Sequence, residues 1–198
     1  MEKILKGQIS FMCIDKNEFR KKCKEKLKKA TKRNKIKRDA LVSKKLLGYI
    51  DEIGAKNILL YLPLKEEVDV VKVIQKLRKK DNHTIFVPFM EGVSFKMVKF
   101  RLPLNIKKFD IREPKNSFAL GKRIDLAIVP TLGVDGAFRR IGFGKGMYDR
   151  FFQSLPYRPK IAFVELVDCF TASHVGESHD IQADIYITPY KTRKRGQR

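Results

Sequence analysis

The sequence lacks an apolar run long enough to cross a membrane. Its longest apolar stretches, such as residues 57–62 and 127–130, are the length of a strand, whereas a membrane-spanning helix needs about 20 apolar residues. The N-terminus also lacks an apolar run followed by a small-residue cleavage site, which argues against a secretory signal. We therefore expect a protein without a membrane segment.

Cysteine is scarce. Cys13, Cys23 and Cys169 form an odd and widely spaced set, which predicts neither a disulfide framework nor a CxxC metal site. This use of cysteine favours a reducing, cytoplasmic setting. The three histidines are scattered as well, and we assign none of them a role.

Acidic residues are few, with 22 Asp and Glu against 44 Lys and Arg. Most of the net charge of +22 lies in residues 1–47 and 191–198. Basic ends attract polyanions such as nucleic acid, nucleotide phosphates or acidic metabolites. A nucleic-acid-binding protein is therefore one interpretation, but no known binding motif occurs, and Phe19 is the only aromatic residue in the Lys-rich segment 16–38. We expect nucleic acid to bind at most weakly and without specificity.

Strand-like and helix-like patterns alternate along the chain. Helices are predicted from Lys16 and at about 39–50, 70–77 and 146–155; strands are predicted at 57–62, 84–87, 94–100, 125–129, 160–166 and 184–188. This alternation predicts an α/β fold, a three-layer α/β/α sandwich with a mainly parallel central sheet (Rossmann-like) in a single domain. We divide the chain into a loose N-terminal extension (1–15), the α/β domain (16–190) and a basic tail (191–198).

The segment that follows the predicted strand 125–129 carries the richest chemistry. Gly142, Gly144 and Gly146 stand at alternate positions before a predicted helix. Glycines let backbone N–H groups approach phosphate oxygens, and Arg140 and Lys145 add positive charge. The segment matches neither the Walker A pattern nor the dinucleotide fingerprint. We predict a phosphate-binding loop; the alternative is a Gly-rich turn in a basic protein.

The stretch RRIGFGKGMYDRF (139–151) resembles the signature of the 5-formyltetrahydrofolate cyclo-ligase (5,10-methenyltetrahydrofolate synthetase) family, R-[LI]-G-x-G-x-G-[YF]-Y-D. Other segments resemble the family in the same order: Lys16-x-x-x-Arg20, YLPLKEEVD (61–69) with Glu67, Glu113-Pro114, and His179-Asp180 followed by residues 184–188. The resemblance covers about residues 16–188. Two positions depart from it, since Phe138 replaces a usual glycine and Met147 replaces the first tyrosine of Tyr-Tyr-Asp.

The resemblance implies an ATP-dependent ligase. Members of this family cyclise 5-formyltetrahydrofolate to 5,10-methenyltetrahydrofolate and release ADP and phosphate, through a phosphorylated formyl group (an imidate phosphate). ATP would be the co-substrate, together with Mg²⁺. We expect the protein to be a monomer or a small homo-oligomer. The alternative within enzymes is another Mg–ATP-dependent phosphotransferase with a different acceptor.

The resemblance also implies which residues touch ATP. Lys145 and Arg140 would be catalytic. The residues implied to bind ATP are Lys16, Arg20, Arg140, Ile141, Gly142, Phe143, Gly144, Lys145, Gly146, Met147 and Tyr148. Lys16 and Arg20 are four residues apart on one helix face, so both side chains can reach one phosphate chain. The alternative is that both are solvated positions on a Lys-rich face.

Folate and metal ligands are implied in the same way. Leu62, Glu67 and Tyr148 would bind the substrate, since a carboxylate suits the neighbouring N–H donors of a pterin. Asp149 and Asp180 would hold Mg²⁺, which prefers oxygen ligands. Two alternatives stay open: that Glu67 caps the helix that follows at 68–79, and that Asp180 is a simple turn residue.

Overall fold

The structure is a computed structural model that describes residues 15–80, 82–106, 112–115 and 123–197. Within that part the helices are α1 (Lys16–Thr31), α2 (Lys35–Ile53), α3 (Val71–Lys79) and α4 (Met147–Gln153). The strands are β1 (Asn57–Leu59), β2 (Thr84–Glu91), β3 (Ser94–Lys99), β4 (Leu104–Ile106), β5 (Arg112–Pro114), β6 (Leu126–Pro130), β7 (Gly133–Val134), β8 (Arg140–Ile141), β9 (Lys160–Val164), β10 (Ile185–Ile187) and β11 (Thr192–Lys194). None of these helices combines the length and the apolar character that a bilayer crossing requires.

Seven strands form the central sheet, in the order β11-β10-β9-β6-β1-β2-β3. The neighbours from β10 to β2 are all parallel, whereas the edge strands β11 and β3 are antiparallel to β10 and β2. The prediction of a mainly parallel sheet is therefore confirmed. Two small antiparallel pairs, β4–β5 and β7–β8, lie outside it.

The sheet separates two apolar cores. Ile128 of β6 packs with α1, α2 and α3 on one face, whereas its neighbours Ala127 and Val129 pack with α4 on the other face. Successive side chains of a strand point to opposite faces, so a strand that is apolar throughout must be covered on both sides. This arrangement confirms the predicted three layers.

The two N-terminal helices are built from local signals. The Asp15 side chain caps α1 by accepting the Asn17 N–H at 3.2 Å. The apolar residues of α1 recur at spacings of four, four and three and are buried: Phe19, Cys23, Leu27 and Ala30. Helix α2 ends at Gly54, whose φ of 63° is the left-handed conformation that glycine favours. It begins at Lys35, earlier than predicted. The prediction missed the first turn because that turn has no buried side chain and so carries no apolar pattern.

Strand β2 continues past Pro88, where we expected it to end. The pairing of β2 with β1 stops at Phe86, but its pairing with β3 continues from Pro88 to Glu91. Proline lacks an N–H donor, and it is tolerated here because only one side of this stretch has a partner strand. Two short strands, β4 and β5, also lie after Phe100, where we predicted neither a helix nor a strand.

The C-terminal segment is part of the sheet, although we expected residues 191–198 to form a basic tail outside the domain. Thr192–Lys194 forms β11 against β10. Arg193 pairs with Asp168 at 2.7 Å, and Lys194 pairs with Glu52 at 2.8 Å. A charged edge strand needs no apolar alternation, because one side faces solvent. The composition of this segment therefore gave no strand signal.

The expectation that the cysteines form no disulfide is wrong. Cys23 of α1 and Cys169, which follows β9, are joined by a disulfide across a sequence separation of 146 residues. Both residues are buried in the core between α1 and the sheet. Widely spaced cysteines can pair when the fold brings them together, so their spacing does not support a reducing setting. Cys13 lies outside the described residues.

Candidate active site

A cleft of about 950 Å³ opens beyond the carboxyl ends of β1 and β6. Its walls come from the loop after β1, from β2 and β5, and from the Gly-rich segment before α4. The predicted site residues that line it are Leu62, Glu67, Arg140, Phe143, Lys145, Gly146, Met147 and Tyr148. The site therefore lies at the sheet edge where ligands of parallel α/β folds bind.

Glu67 folds the loop after β1 into the cleft wall. Its Oε2 accepts the Leu64 N–H at 2.9 Å. Burial raises the pKa of the Glu67 carboxyl, and this outweighs the Leu64 hydrogen bond and the charges of Arg140 and Lys35. Glu67 does not cap the next helix, because α3 begins at Val71 and the Val71 N–H bonds to Asp69 at 2.9 Å.

Arg140 is fixed beneath the Gly-rich segment. Its Nε donates to the Pro130 carbonyl at 3.0 Å, and its guanidinium lies 5.0 Å from the centre of the Tyr148 ring. One terminal nitrogen is 3.9 Å from Oδ2 of Asp149. A Cβ at position 142 would overlap the Arg140 guanidinium, so any residue other than glycine there would shift that side chain. Arg140 therefore presents a buried, oriented positive charge to the cleft.

The Gly-rich segment offers a row of backbone donors. Gly144 and Gly146 have φ values of 104° and 61°, which residues other than glycine rarely adopt. Within the described residues, the N–H groups of 142–148 donate to no other group. Lys145 is exposed at the cleft. N–H groups without a hydrogen-bond partner, next to a lysine, are suited to bind an anion.

Tyr148 lines the cleft at the start of α4, near Glu67 and Arg140. Burial raises the pKa of the Tyr148 hydroxyl, nearby Glu67 raises it further, and Arg140 opposes the effect. The hydroxyl is therefore protonated at neutral pH and can donate a hydrogen bond. Its ring contacts Phe95 edge-on, with 5.0 Å between the ring centres.

Helix α1 carries two predicted site residues, Lys16 and Arg20, and both form hydrogen bonds outside the cleft. Arg20 donates from Nε to the Gly142 carbonyl at 3.1 Å. Lys16 Nζ bonds to Asp180 Oδ2 at 2.7 Å and to Glu177 Oε1 at 3.0 Å. Partial burial lowers the pKa of Lys16, but these two carboxylates raise it by more. Neither side chain is simply solvated, although neither lines the cleft.

The predicted metal ligands lie close together but differ in their surroundings. Asp149 Oδ1 accepts the Ile181 N–H at 3.2 Å, which places it beside the residue after Asp180. Asp180 groups with Glu177 and His179, and their potential ligand atoms lie within 4.8 Å of one another. Asp149 is not part of that group within the described residues.

Comparisons with known proteins place the chain in a family. The model of the 5-formyltetrahydrofolate cyclo-ligase family matches residues 13–189, nearly the whole chain. The chain belongs to this family. It is accordingly a ligase, and the resemblance read from the Gly-rich motif is confirmed.

Relatives of this cyclo-ligase family cover most of the chain. The "5-formyltetrahydrofolate cyclo-ligase" of Mycoplasma genitalium is 27% identical over 177 residues, which are 88% of this chain and 98% of that protein. The protein of the same name from Mus musculus is 24% identical over 172 residues, 77% of this chain and 84% of its own.

Solved structures in the family share the fold. The NMR structure of Aquifex aeolicus 5,10-methenyltetrahydrofolate synthetase has a TM-score of 0.72 and 26% identity, and the match covers 92% of this chain and 94% of that one. A synthetase from Mycoplasma pneumoniae gives a TM-score of 0.66 at 23% identity, covering 89% and 99%; this second likeness shows the fold alone.

Sequence reasoning missed several residues of the cyclo-ligase cleft. Tyr61 donates its hydroxyl to the Val68 carbonyl at 2.8 Å, and Arg112 donates to the Pro63 carbonyl at 3.2 Å, so both shape the loop that carries Glu67. Lys35, at the start of α2, also lines the cleft. Lys35 could not be told from the other lysines of its segment, whereas Arg112 stands next to the Glu113-Pro114 pair and could have been singled out.

Proposed function

We propose that this cyclo-ligase converts 5-formyltetrahydrofolate to 5,10-methenyltetrahydrofolate, with hydrolysis of ATP to ADP and phosphate. The observation that carries the proposal is that the Gly-rich segment and Glu67 face one cleft. An anion-binding surface and a carboxylate suited to a pterin are then close enough for a phosphoryl group to meet a folate formyl group.

The chemistry explains why ATP is needed. The N5-formyl group is an amide, so its carbon is a poor electrophile and its oxygen a poor leaving group. Transfer of the γ-phosphoryl group to the formyl oxygen gives an imidate phosphate and ADP. N10 then forms a bond to the formyl carbon and gives up its proton, the carbon–oxygen bond breaks, and the oxygen leaves as part of hydrogen phosphate. The protein must align these groups and stabilise the charge on the transferring phosphoryl group.

The Gly-rich segment would perform that stabilisation. Its free N–H groups would bind the phosphate oxygens, and Lys145 would place its charge at the transferring group. Arg140 would add a charge that is oriented in advance, because the Pro130 carbonyl fixes its side chain. Arg20 holds the Gly142 carbonyl, and this contact would maintain the shape of the segment.

Glu67 and Leu62 would bind the pterin end of the folate. The raised pKa of Glu67 shows that burial disfavours its charge in the free protein. Pterin N–H donors would favour the carboxylate form and offset that effect. The Tyr148 hydroxyl would donate to the substrate from the wall formed by the Gly-rich segment and α4, which would give this residue contacts on both the ATP and the folate side.

The residues around Asp180 do not line the cleft, but their chemistry suits a divalent cation that would accompany ATP. Asp180 and Glu177 present carboxylate oxygens, the ligands that Mg²⁺ prefers. Lys16 now neutralises both, and an ammonium that turned to the phosphates would leave them to the cation. Bound Mg²⁺ would neutralise phosphate charge. Asp149, which accepts the Ile181 N–H, is the other carboxylate that we propose as a ligand.

The test is direct. Purified protein is mixed with Mg–ATP and 5-formyltetrahydrofolate, and the near-ultraviolet absorbance of the methenyl product is followed. We expect product only when both substrates are present, and Lys145→Ala should lower kcat/KM at least about a hundredfold, with its melting temperature unchanged because Lys145 is exposed. Unchanged kcat/KM would contradict the role of Lys145. A folded wild-type protein that binds ATP but forms no product would discard the folate assignment in favour of another acceptor.

A further inference from the structure

Arg150 ties the Gly-rich segment to a distant hairpin. It lies in α4, immediately after the family motif, and its side chain is exposed. Its Nε donates to the Val93 carbonyl at 2.9 Å, and its Nη2 donates to the carbonyls of both Val93 and Lys145. One guanidinium therefore joins the turn between β2 and β3 to the middle of the Gly-rich segment.

The bond to Lys145 fixes the direction of a peptide group. A trans peptide points its C=O and N–H to opposite sides. Because Arg150 holds the Lys145 carbonyl, the N–H of Gly146 must point away from Arg150. Both Lys145 and Gly146 line the cleft, and Arg150 does not. Arg150 therefore lies on the side of the segment opposite the cleft, and its bond to the Lys145 carbonyl orients the Gly146 N–H toward the cleft.

The β2–β3 hairpin packs against α4, the helix that carries Arg150. Ser94 Oγ donates to the Met147 carbonyl at 3.4 Å, and the Phe95 ring stacks on Phe151 with 4.4 Å between their centres. Phe95 is buried in the core beside α4. The β2–β3 turn and α4 therefore form one packed unit, and the segment is anchored to it through Arg150.

The left-handed residue Gly146 completes the arrangement. A Cβ at this position would lie 2.9 Å from Nη1 of Arg150. The guanidinium therefore packs directly against the backbone that it orients. A shorter or more mobile side chain would leave both the carbonyl and this space without a partner.

We propose that Arg150 is a positioning residue for ATP: it holds the Lys145–Gly146 peptide so that the Gly146 N–H and the Lys145 side chain face the phosphates. The inference rests on the proposed function of the Gly-rich segment. It assigns ATP affinity, not folate affinity, to a residue that touches neither substrate.

The experiment uses Arg150→Met, which keeps an apolar stem but no donor, and Arg150→Lys, which keeps one charged donor. Titration calorimetry with a non-hydrolysable ATP analogue and Mg²⁺ gives Kd directly. We expect Arg150→Met to raise the analogue Kd and the KM for ATP about tenfold or more. The KM for 5-formyltetrahydrofolate should change less than about twofold, and Arg150→Lys should recover part of the loss.

Arg195→Met is the matched control, because Arg195 is also exposed and also bonds to polar groups of the chain, Asp184 and Gln182. It should leave both KM values unchanged. If Arg150→Met raises both KM values equally, or if its ATP affinity equals that of the wild type, the inference is wrong. Wild-type protein that binds no ATP would overturn the proposed function as well, so the two failures are distinct.

Discussion

The Cys23–Cys169 disulfide should contribute a large part of the protein's stability. The bond closes a loop of 146 residues, most of the described chain. Cross-linking a loop of this length lowers the entropy of the unfolded chain by an amount equivalent to about 5 kcal/mol, the entropic ceiling. Whole domains are stable by only about 5–15 kcal/mol, so loss of this one bond should be easy to measure.

The perturbation is best made in two ways, because a substitution also changes the packing of a buried site. Wild-type protein is reduced with dithiothreitol, and Cys23→Ala and Cys169→Ala are prepared separately. Guanidinium unfolding, followed by circular dichroism, gives the free energy of unfolding for each. We expect reduction and both variants to lower it by about 3–5 kcal/mol, and reduction should then have no further effect on either variant.

Cys13→Ala is the control, because Cys13 has no place in the disulfide. It should respond to reduction as the wild type does. Thiol titration of the unfolded, unreduced protein adds an independent count: one reactive thiol is expected among the three cysteines. Three reactive thiols, or a free energy of unfolding that reduction does not alter, would refute the pairing and the loop argument together.

Two further predictions concern the cleft. Glu67→Gln should raise the KM for 5-formyltetrahydrofolate more than the KM for ATP, and equal increases in kinetic assays would indicate a structural role. Since the folded-state pKa of Glu67 is raised, the charged carboxylate disfavours folding; stability should rise as pH falls through that pKa, and denaturation of Glu67→Gln should lack this component. Gly142→Ala should reduce kcat about tenfold or more, because its Cβ would displace the Arg140 guanidinium. Gly48→Ala, at a helix position with nothing within 4 Å, should keep full kcat and gain up to about 1 kcal/mol of stability.

Within the described residues, local patterns were enough to predict the four helices, six of the seven strands of the central sheet and the Gly-rich segment of the cleft. Continuous apolar runs such as residues 125–129 predicted strands buried on both faces, and the alternation with helices predicted the layers. The Gly-rich motif predicted the segment that the structure places in the cleft with Glu67 and Leu62. Each of these signals lies within a few residues of sequence, where backbone geometry and side-chain period decide the outcome.

Tertiary structure alone decided the features that join distant parts of the chain. Composition could not distinguish strand β11 from a charged tail, because pairing with β10, not its own residues, makes it a strand. No spacing rule pairs Cys23 with Cys169, or sends Arg20 to the Gly142 carbonyl and Arg150 to Val93. The sequence by itself determined the α/β class, the Gly-rich motif and the family. The folded chain decided which side chains meet at the candidate site, because such contacts depend on how all the layers pack and not on any one segment.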